Sequence, residues 1–192
     1  MNEYDGHWVN TYTGKHFHYL DPQPEEIDII DIAHSLSLTC RYGGHCKQFY
    51  SVGEHSIRVA DIVPDELKLR ALLHDAAEAY LTDLPRPIKY DIPEFRIREN
   101  IIQRNIEAKF GIKTSRSPLI PDPDKKIIKQ ADNILLATEA RDMMHDMVDW
   151  SALPDPLPDM ILPMCSPAVE NVFMMRFIEY SRKDDLLAAL RG

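Results

Sequence analysis

Long apolar runs are missing from the sequence: no stretch approaches the roughly 18 residues that a membrane-spanning helix requires. Residues 1–7 are polar and acidic, so the start of the chain lacks the basic and apolar segments of a secretory signal. These absences lead us to expect a cytoplasmic protein. No internal repeat or low-complexity segment divides the 192 residues, and we expect a single domain over residues 1–192.

Cysteine is scarce. The three cysteines, Cys40, Cys46 and Cys165, are odd in number and match no zinc-finger spacing. We therefore expect reduced thiols, with neither a disulfide framework nor a thiolate metal site.

An excess of positive charge is also missing, because the formal net charge is −9. Proteins that grip a nucleic-acid backbone normally present a basic face, so we expect no nucleic-acid partner. A small phosphate-bearing substrate would have to be met by a few convergent cations and a metal.

The hydrophobic pattern that is present predicts an all-α helical bundle with a short N-terminal β-hairpin. Residues 8–20 alternate in polarity around Thr13–Lys15, which predicts a hairpin acting as a lid or edge ornament in an extension over residues 1–26. Apolar residues at helical spacing then predict helices over 27–38, 51–64, 67–80, 93–110, 123–140, 168–180 and 184–190. Between them we expect a loop over 39–51, an extended turn over 83–89 and a proline-rich loop over 151–167.

The predicted helix over 67–80 is apolar on nearly every side, yet it carries His74, Asp75 and Glu78. Buried polar groups need compensation. His55 lies on the preceding helix and Asp132 beside the apolar stripe of a later one, so three helices are expected to converge on one point. Imidazole and carboxylate ligands suit one divalent cation of zinc, cobalt, manganese, magnesium or iron, and four ligands leave a position open for hydrolysis. The alternative is a hydrogen-bonded structural cluster.

A second His-Asp pair, His145-Asp146, serves as an internal control. It lies at a methionine-rich, acidic helix end and has no comparable buried acid downstream. We expect it to be solvated surface, so the dipeptide alone carries no functional weight.

The order His55, His74-Asp75, Asp132 resembles the signature of the HD superfamily of metal-dependent phosphohydrolases, an all-α fold. The similarity extends to the sequence around the first histidine, to residues 74–89 and to residues 129–132. Over roughly residues 34–140 the chain resembles bacterial 5′-deoxynucleotidases and their phage-type relatives, some of which remove triphosphate from deoxyadenosine triphosphate.

The resemblance implies a role for each matching position. His55, His74, Asp75 and Asp132 would bind the metal, and Glu78 and Asp83 would orient the attacking water and manage its proton. Three further positions are implied to bind substrate: Arg41 and Tyr42 would contact phosphate and sugar or base, and Lys89 a second phosphate oxygen. From its place after the glycine pair, His45 either approaches the site or faces solvent. Gly43-Gly44 departs from the simplest bacterial pattern.

The function implied is removal of phosphate from (deoxy)nucleoside 5′-phosphates. Two alternatives stay open at this point, namely a deoxynucleoside triphosphate triphosphohydrolase and a non-catalytic nucleotide-binding module. The partners expected are a small nucleotide and further copies of the chain in a homo-oligomer, with no membrane.

Overall fold

The computed structural model describes residues 7–114, 121–145 and 152–191, with side chains up to residue 182. This part of the chain is mostly helical and begins with a two-stranded antiparallel hairpin. The strands are β1 (Val9–Asn10) and β2 (His16–Phe17). The helices are α1 (Ile29–Leu38), α2 (Val52–Ile62), α3 (Lys68–Leu72), α4 (Glu78–Leu81), α5 (Arg86–Asp91), α6 (Pro93–Lys109), α7 (Pro123–Met143) and α8 (Ser166–Arg191). None of the helices described here is long and apolar enough to cross a bilayer.

The hairpin lies at the edge of the body, as expected, and is anchored to the core by one buried side chain, Phe17; a role as a lid stays a prediction. Its turn is tied to α1, because the backbone N–H and hydroxyl of Thr13 donate to the Asp31 carboxylate at 2.6 and 2.9 Å. Phe17 is fully buried and stacks on Tyr80, with ring centroids 3.8 Å apart. An aromatic pair of this kind stabilises the docking of the hairpin beyond the apolar area that it buries.

Side-chain caps start several helices where the sequence predicted them. The carboxylate of Asp28 accepts from Ile30 N in α1, the hydroxyl of Ser51 accepts from Glu54 N in α2, and Asp122 accepts from Lys125 N in α7. Each cap satisfies a backbone donor that the first helical turn leaves unpaired. These three starts are confirmed.

The core forms where α8 packs against α1, α2 and α3, and α2 also packs on α7. Gly53 allows the close approach. A Cβ at this position would lie 2.9 Å from Val169 Cγ1 and 3.1 Å from the Leu36 carbonyl carbon. Since real Cβ atoms do not tolerate such contacts, a larger residue would push α1 or α8 away from α2.

Three predicted elements differ from the structure. The helix predicted over 67–80 is interrupted, because residues 73–77 form turns between α3 and α4. The segment predicted as an extended turn over 83–89 contains the start of α5. Its second residue is Pro87, and proline costs no hydrogen bond there because a backbone N–H in the first helical turn has no acceptor within the helix. The two final helices are one, α8, because no glycine or proline occurs after its first turn to end it.

The proline-rich segment lies along the body as predicted, from residue 152 until α8 begins; residue 151 is outside the described part. Arg141 holds it by donating to the carbonyls of Leu157 and Asp159 at 2.6 and 2.9 Å. Ile161 is buried. At the end of α7, His145 is exposed as expected, and Asp146 falls outside the described residues.

Candidate metal centre

Two histidines and an aspartate bring their ligand atoms together below the surface. One ligand atom from each of His55, His74 and Asp75 lies within 4.8 Å of the others, so the group could hold a metal ion. His55 comes from α2, and the other two come from the turn between α3 and α4. Asp75 Oδ2 is 3.2 Å from His74 Nε2 and 3.7 Å from His55 Nε2. Asp132, the fourth predicted ligand, is not part of this group of three; it approaches from α7, with Oδ1 3.3 Å from His55 Nε2.

Both imidazole rings are held in the orientation that a metal ligand requires. His55 Nδ1 is 2.7 Å from a Glu139 oxygen, and His74 Nδ1 is 2.7 Å from the carbonyl oxygen of Ala71. Since these partners only accept, each Nδ1 carries the proton and donates it. Each Nε2 therefore faces the carboxylates, is buried, and has no hydrogen-bond partner among the described residues.

The donor set fits a divalent cation. Orphaned buried nitrogens are rare unless something outside the protein satisfies them. Ligand bonds of about 2.1 Å give ligand-to-ligand distances of roughly 3.0–3.4 Å around one ion, close to the separations seen here. At metal sites, a ligating histidine commonly donates the N–H of its other ring nitrogen to a carboxylate or a backbone carbonyl, as both histidines do here.

Electrostatics also couple these four side chains. Burial and the Arg41 charge lower the pKa of His55, but the surrounding carboxylates, Glu139 first, outweigh them and raise it to about 9. Against the effect of burial, the imidazoles lower the pKa of Asp75 and of Asp132 below the ordinary aspartate range. Without metal, His55 therefore carries a proton on both ring nitrogens at neutral pH, and a bound cation would replace the one on Nε2.

Glu139 belongs to the site and was not predicted. It is fully buried on α7, two helical turns after Asp132. One oxygen accepts from His55; the other accepts from Arg41 Nε at 3.2 Å and Nη2 at 3.1 Å, and from the hydroxyl of Tyr42. Although burial opposes ionisation, Arg41 and His55 lower the pKa of Glu139 to about 2. Its position on the face of Asp132 was the one signal in the sequence.

The predicted substrate residues on the 39–51 loop occupy different environments. The Arg41 side chain is 11% exposed and paired with Glu139, and Tyr42 shares that carboxylate. The turn that holds them is tight, since Tyr42 and Gly43 both have left-handed φ angles near 60°. His45 is exposed to solvent. The loop thus brings Arg41 and Tyr42 to the far side of His55, and a phosphate contact by either of them stays a prediction.

A cleft of about 920 Å³ opens on the metal-facing side. Its wall includes His74, Asp75, Glu78, Lys89 and Asp132. The cleft is also lined by basic residues of α6 and α7, namely Arg104, Lys125, Lys126 and Lys129, and by the acidic residues Glu99, Glu107 and Asp122. Lys129 Nζ contacts Asp132 Oδ2 at 2.5 Å. The cleft therefore joins a candidate metal group to a wall that carries both basic and acidic side chains.

Glu78 and Lys89, both predicted site residues, contact each other in this cleft. Lys89 Nζ lies 3.1 Å from Glu78 Oε1 and 2.6 Å from Glu99 Oε1. Burial, reinforced by the carboxylates of Asp75 and Asp83, raises the pKa of Glu78 despite the ammonium group. Glu78 Oε2 is buried and makes no hydrogen bond to any described residue.

Asp83, the other predicted catalytic residue, follows α4 and is half-buried. Burial raises its pKa, and the charges of Arg41, Asp75 and Lys89 all act on it, which places it near the centre. It does not line the cleft among the described residues. A direct catalytic role for Asp83 stays a prediction.

Comparison with known sequences gives relatives whose names carry no function. No family model matches the sequence. An uncharacterized protein of Rhodobacter capsulatus is 32% identical over 143 residues, which cover 69% of this chain and 71% of that protein. The uncharacterized protein YfdR of Escherichia coli K12 is 38% identical over 178 residues, which cover 91% of this chain and 96% of YfdR. The chain therefore belongs to the same protein family as YfdR.

Proposed function

We propose that the protein is a metal-dependent phosphohydrolase of the HD type that removes phosphate from (deoxy)nucleoside 5′-phosphates. One observation carries the proposal. Two buried imidazole nitrogens without hydrogen-bond partners among the described residues face two carboxylates at the wall of a cleft that basic side chains also line. A purely structural cluster would satisfy those nitrogens internally.

His55, His74, Asp75 and Asp132 would hold the cation. A divalent ion bound there would polarise a phosphoryl oxygen and lower the pKa of water. The oxygen and imidazole ligands accept zinc, cobalt, manganese, magnesium or iron, so the working ion is a matter for assay.

Glu78 is the proton carrier in this proposal. Its raised pKa and its unpartnered Oε2 suit a carboxyl group that takes a proton from the attacking water and returns it to the leaving oxygen. The ammonium of Lys89 holds the other carboxyl oxygen at 3.1 Å, which leaves Oε2 free to exchange a proton.

Basic side chains that line the cleft would supply the charge that phosphate binding needs. Arg41 and Lys89, the residues proposed from sequence, are already paired with buried carboxylates. Arg104, Lys125 and Lys126 have no ion pair to any described residue, so their charges are available to a phosphate group. Local charge of this kind attracts an anion in spite of the net charge of −9.

The test is a product assay with metal added to chelator-treated protein. Deoxynucleoside mono- and triphosphates of each base are incubated, and orthophosphate is measured separately from tripolyphosphate. We expect orthophosphate from monophosphates, lost in Asp75→Asn together with bound metal. Tripolyphosphate instead would identify the triphosphohydrolase, and nucleotide binding without any turnover would identify a non-catalytic module. Full activity of Asp75→Asn without metal would overturn the metal-dependent mechanism.

A further inference from the structure

The interruption between α3 and α4 has a side chain inserted into it. In an unbroken α-helix the N–H of Ala77 would donate to the carbonyl of Leu73. Here Ala77 N donates to Gln103 Oε1 at 3.2 Å, and Gln103 Nε2 donates to Leu73 O at 2.7 Å. One amide group from α6 thus satisfies both halves of the helical hydrogen bond that is missing.

The backbone inside this insertion is wound more tightly than an α-helix. His74 N donates to Ala71 O at 3.3 Å, Ala76 N to Leu73 O at 3.1 Å, and Glu78 N to Asp75 O at 3.0 Å. These bonds span three residues, the pattern of a 3₁₀ turn, which is used in short pieces because its hydrogen bonds are poorer. His74 and Asp75 both lie between the two anchoring points at Leu73 and Ala77.

Local sequence does not account for the interruption. Residues 68–81 contain no glycine or proline and are rich in alanine and leucine, which are strong helix formers. An isolated segment of this composition favours a continuous helix. The break is therefore imposed by a tertiary contact, and the amide of Gln103 is the contact that occupies it.

Gln103 is itself held firmly. It is flanked on α6 by Ile102 and Ile106, both of which are fully buried. Because these side chains fix the face that α6 turns to the core, the Gln103 amide stays beside residues 73–77.

We propose that Gln103 is a positioning residue: by holding the helix open between Leu73 and Ala77, it sets the backbone from which His74 and Asp75 reach the cation. The inference rests on the proposed metal-dependent function. It extends the site to a residue that lines the same cleft and acts through the backbone of the metal ligands.

The experiment compares Gln103→Met with a matched change on the same helix. Methionine keeps the length of glutamine and removes both hydrogen bonds. The control is Asn105→Leu, since the one hydrogen bond of the Asn105 amide to a described residue stays within its own helix, at Ile101 O, 2.9 Å away. Zinc affinity is measured by competition with a chromogenic chelator, and ¹³Cα chemical shifts of residues 73–77 are measured without metal.

Loss of a group that orients metal ligands commonly lowers metal affinity by about 10–100-fold. We expect a loss of at least about tenfold in Gln103→Met, and shifts of residues 73–77 that move towards α-helical values. Asn105→Leu should change neither. Wild-type affinity and unchanged shifts in Gln103→Met would overturn the inference.

A variant that does not fold and a wild-type protein that binds no metal each leave a decisive measurement. If Gln103→Met does not fold, Gln103→Glu decides, because it keeps the acceptor for Ala77 N and loses the donor to Leu73 O; wild-type affinity in that variant contradicts the proposal. If the wild-type protein binds no metal, the proposed function fails, and the metal-free chemical shifts still test whether Gln103 holds the helix open.

Discussion

Glu139→Gln is the substitution with the largest effect that the site predicts. The change keeps the size of the side chain and removes its charge. In the structure that charge balances the buried Arg41 guanidinium and receives the Nδ1 proton of His55. Removing one partner of a buried ion pair costs about 3–5 kcal/mol, because the remaining charge stays buried without compensation. Losing the acceptor for His55 should also weaken metal binding by about 10–100-fold.

The assay is urea unfolding in the presence of a chelator, followed by zinc titration of the folded protein. Glu170→Gln is the matched control, since Glu170 accepts from His34 Nδ1 at 3.1 Å in a half-buried pair away from the metal group. We expect the control to lose less than about 1 kcal/mol and to keep wild-type zinc affinity. A loss below about 1 kcal/mol in Glu139→Gln, with unchanged zinc affinity, would refute the role assigned to Glu139.

Two other predictions concern pH. The pKa of His55 is raised to about 9 in the folded metal-free protein, above its ordinary value of 6.5, so the proton stabilises the fold fully below pH 6.5. That contribution to the free energy of unfolding, on the order of 3 kcal/mol, should be lost as pH rises to 9 in chelator-treated protein. Saturating zinc should abolish the decline. Identical urea midpoints at pH 6.5 and 9 without metal would contradict this prediction. At the start of α7, Arg70 lowers the pKa of Asp122 to about 2 from its ordinary value of 3.8. Its contribution, roughly 2 kcal/mol, is complete above pH 4 and lost as pH falls to 2, so Asp122→Asn should reduce stability at pH 7 and flatten the acid limb of the unfolding curve.

The sequence predicted the helices that carry His55 and Asp132 because their starts have local signals. Ser51 and Asp122 cap the helices, and proline follows Asp122. Such signals depend only on neighbouring residues, so they can be recognised from the sequence alone. The hairpin was predicted for the same reason, but its burial against Tyr80 depends on a partner far along the chain.

The parts that sequence could not supply depend on distant contacts. The interruption at residues 73–77 is occupied by the Gln103 amide, 26 residues beyond Ala77, and no neighbouring residue in the sequence predicts it. Glu139 reads in the sequence as an ordinary helix glutamate, and only packing shows that it is buried against His55. Arg41 and Lys89 read as free cations, whereas the fold supplies each with a carboxylate partner.

Anomalous diffraction from crystals of the zinc-loaded protein would locate the metal. We expect one peak at about 2.0–2.2 Å from the Nε2 atoms of His55 and His74 and from an oxygen of Asp75, with Asp132 as the fourth ligand. A fully loaded crystal whose zinc lies elsewhere, with His55 and His74 unchanged, would contradict it.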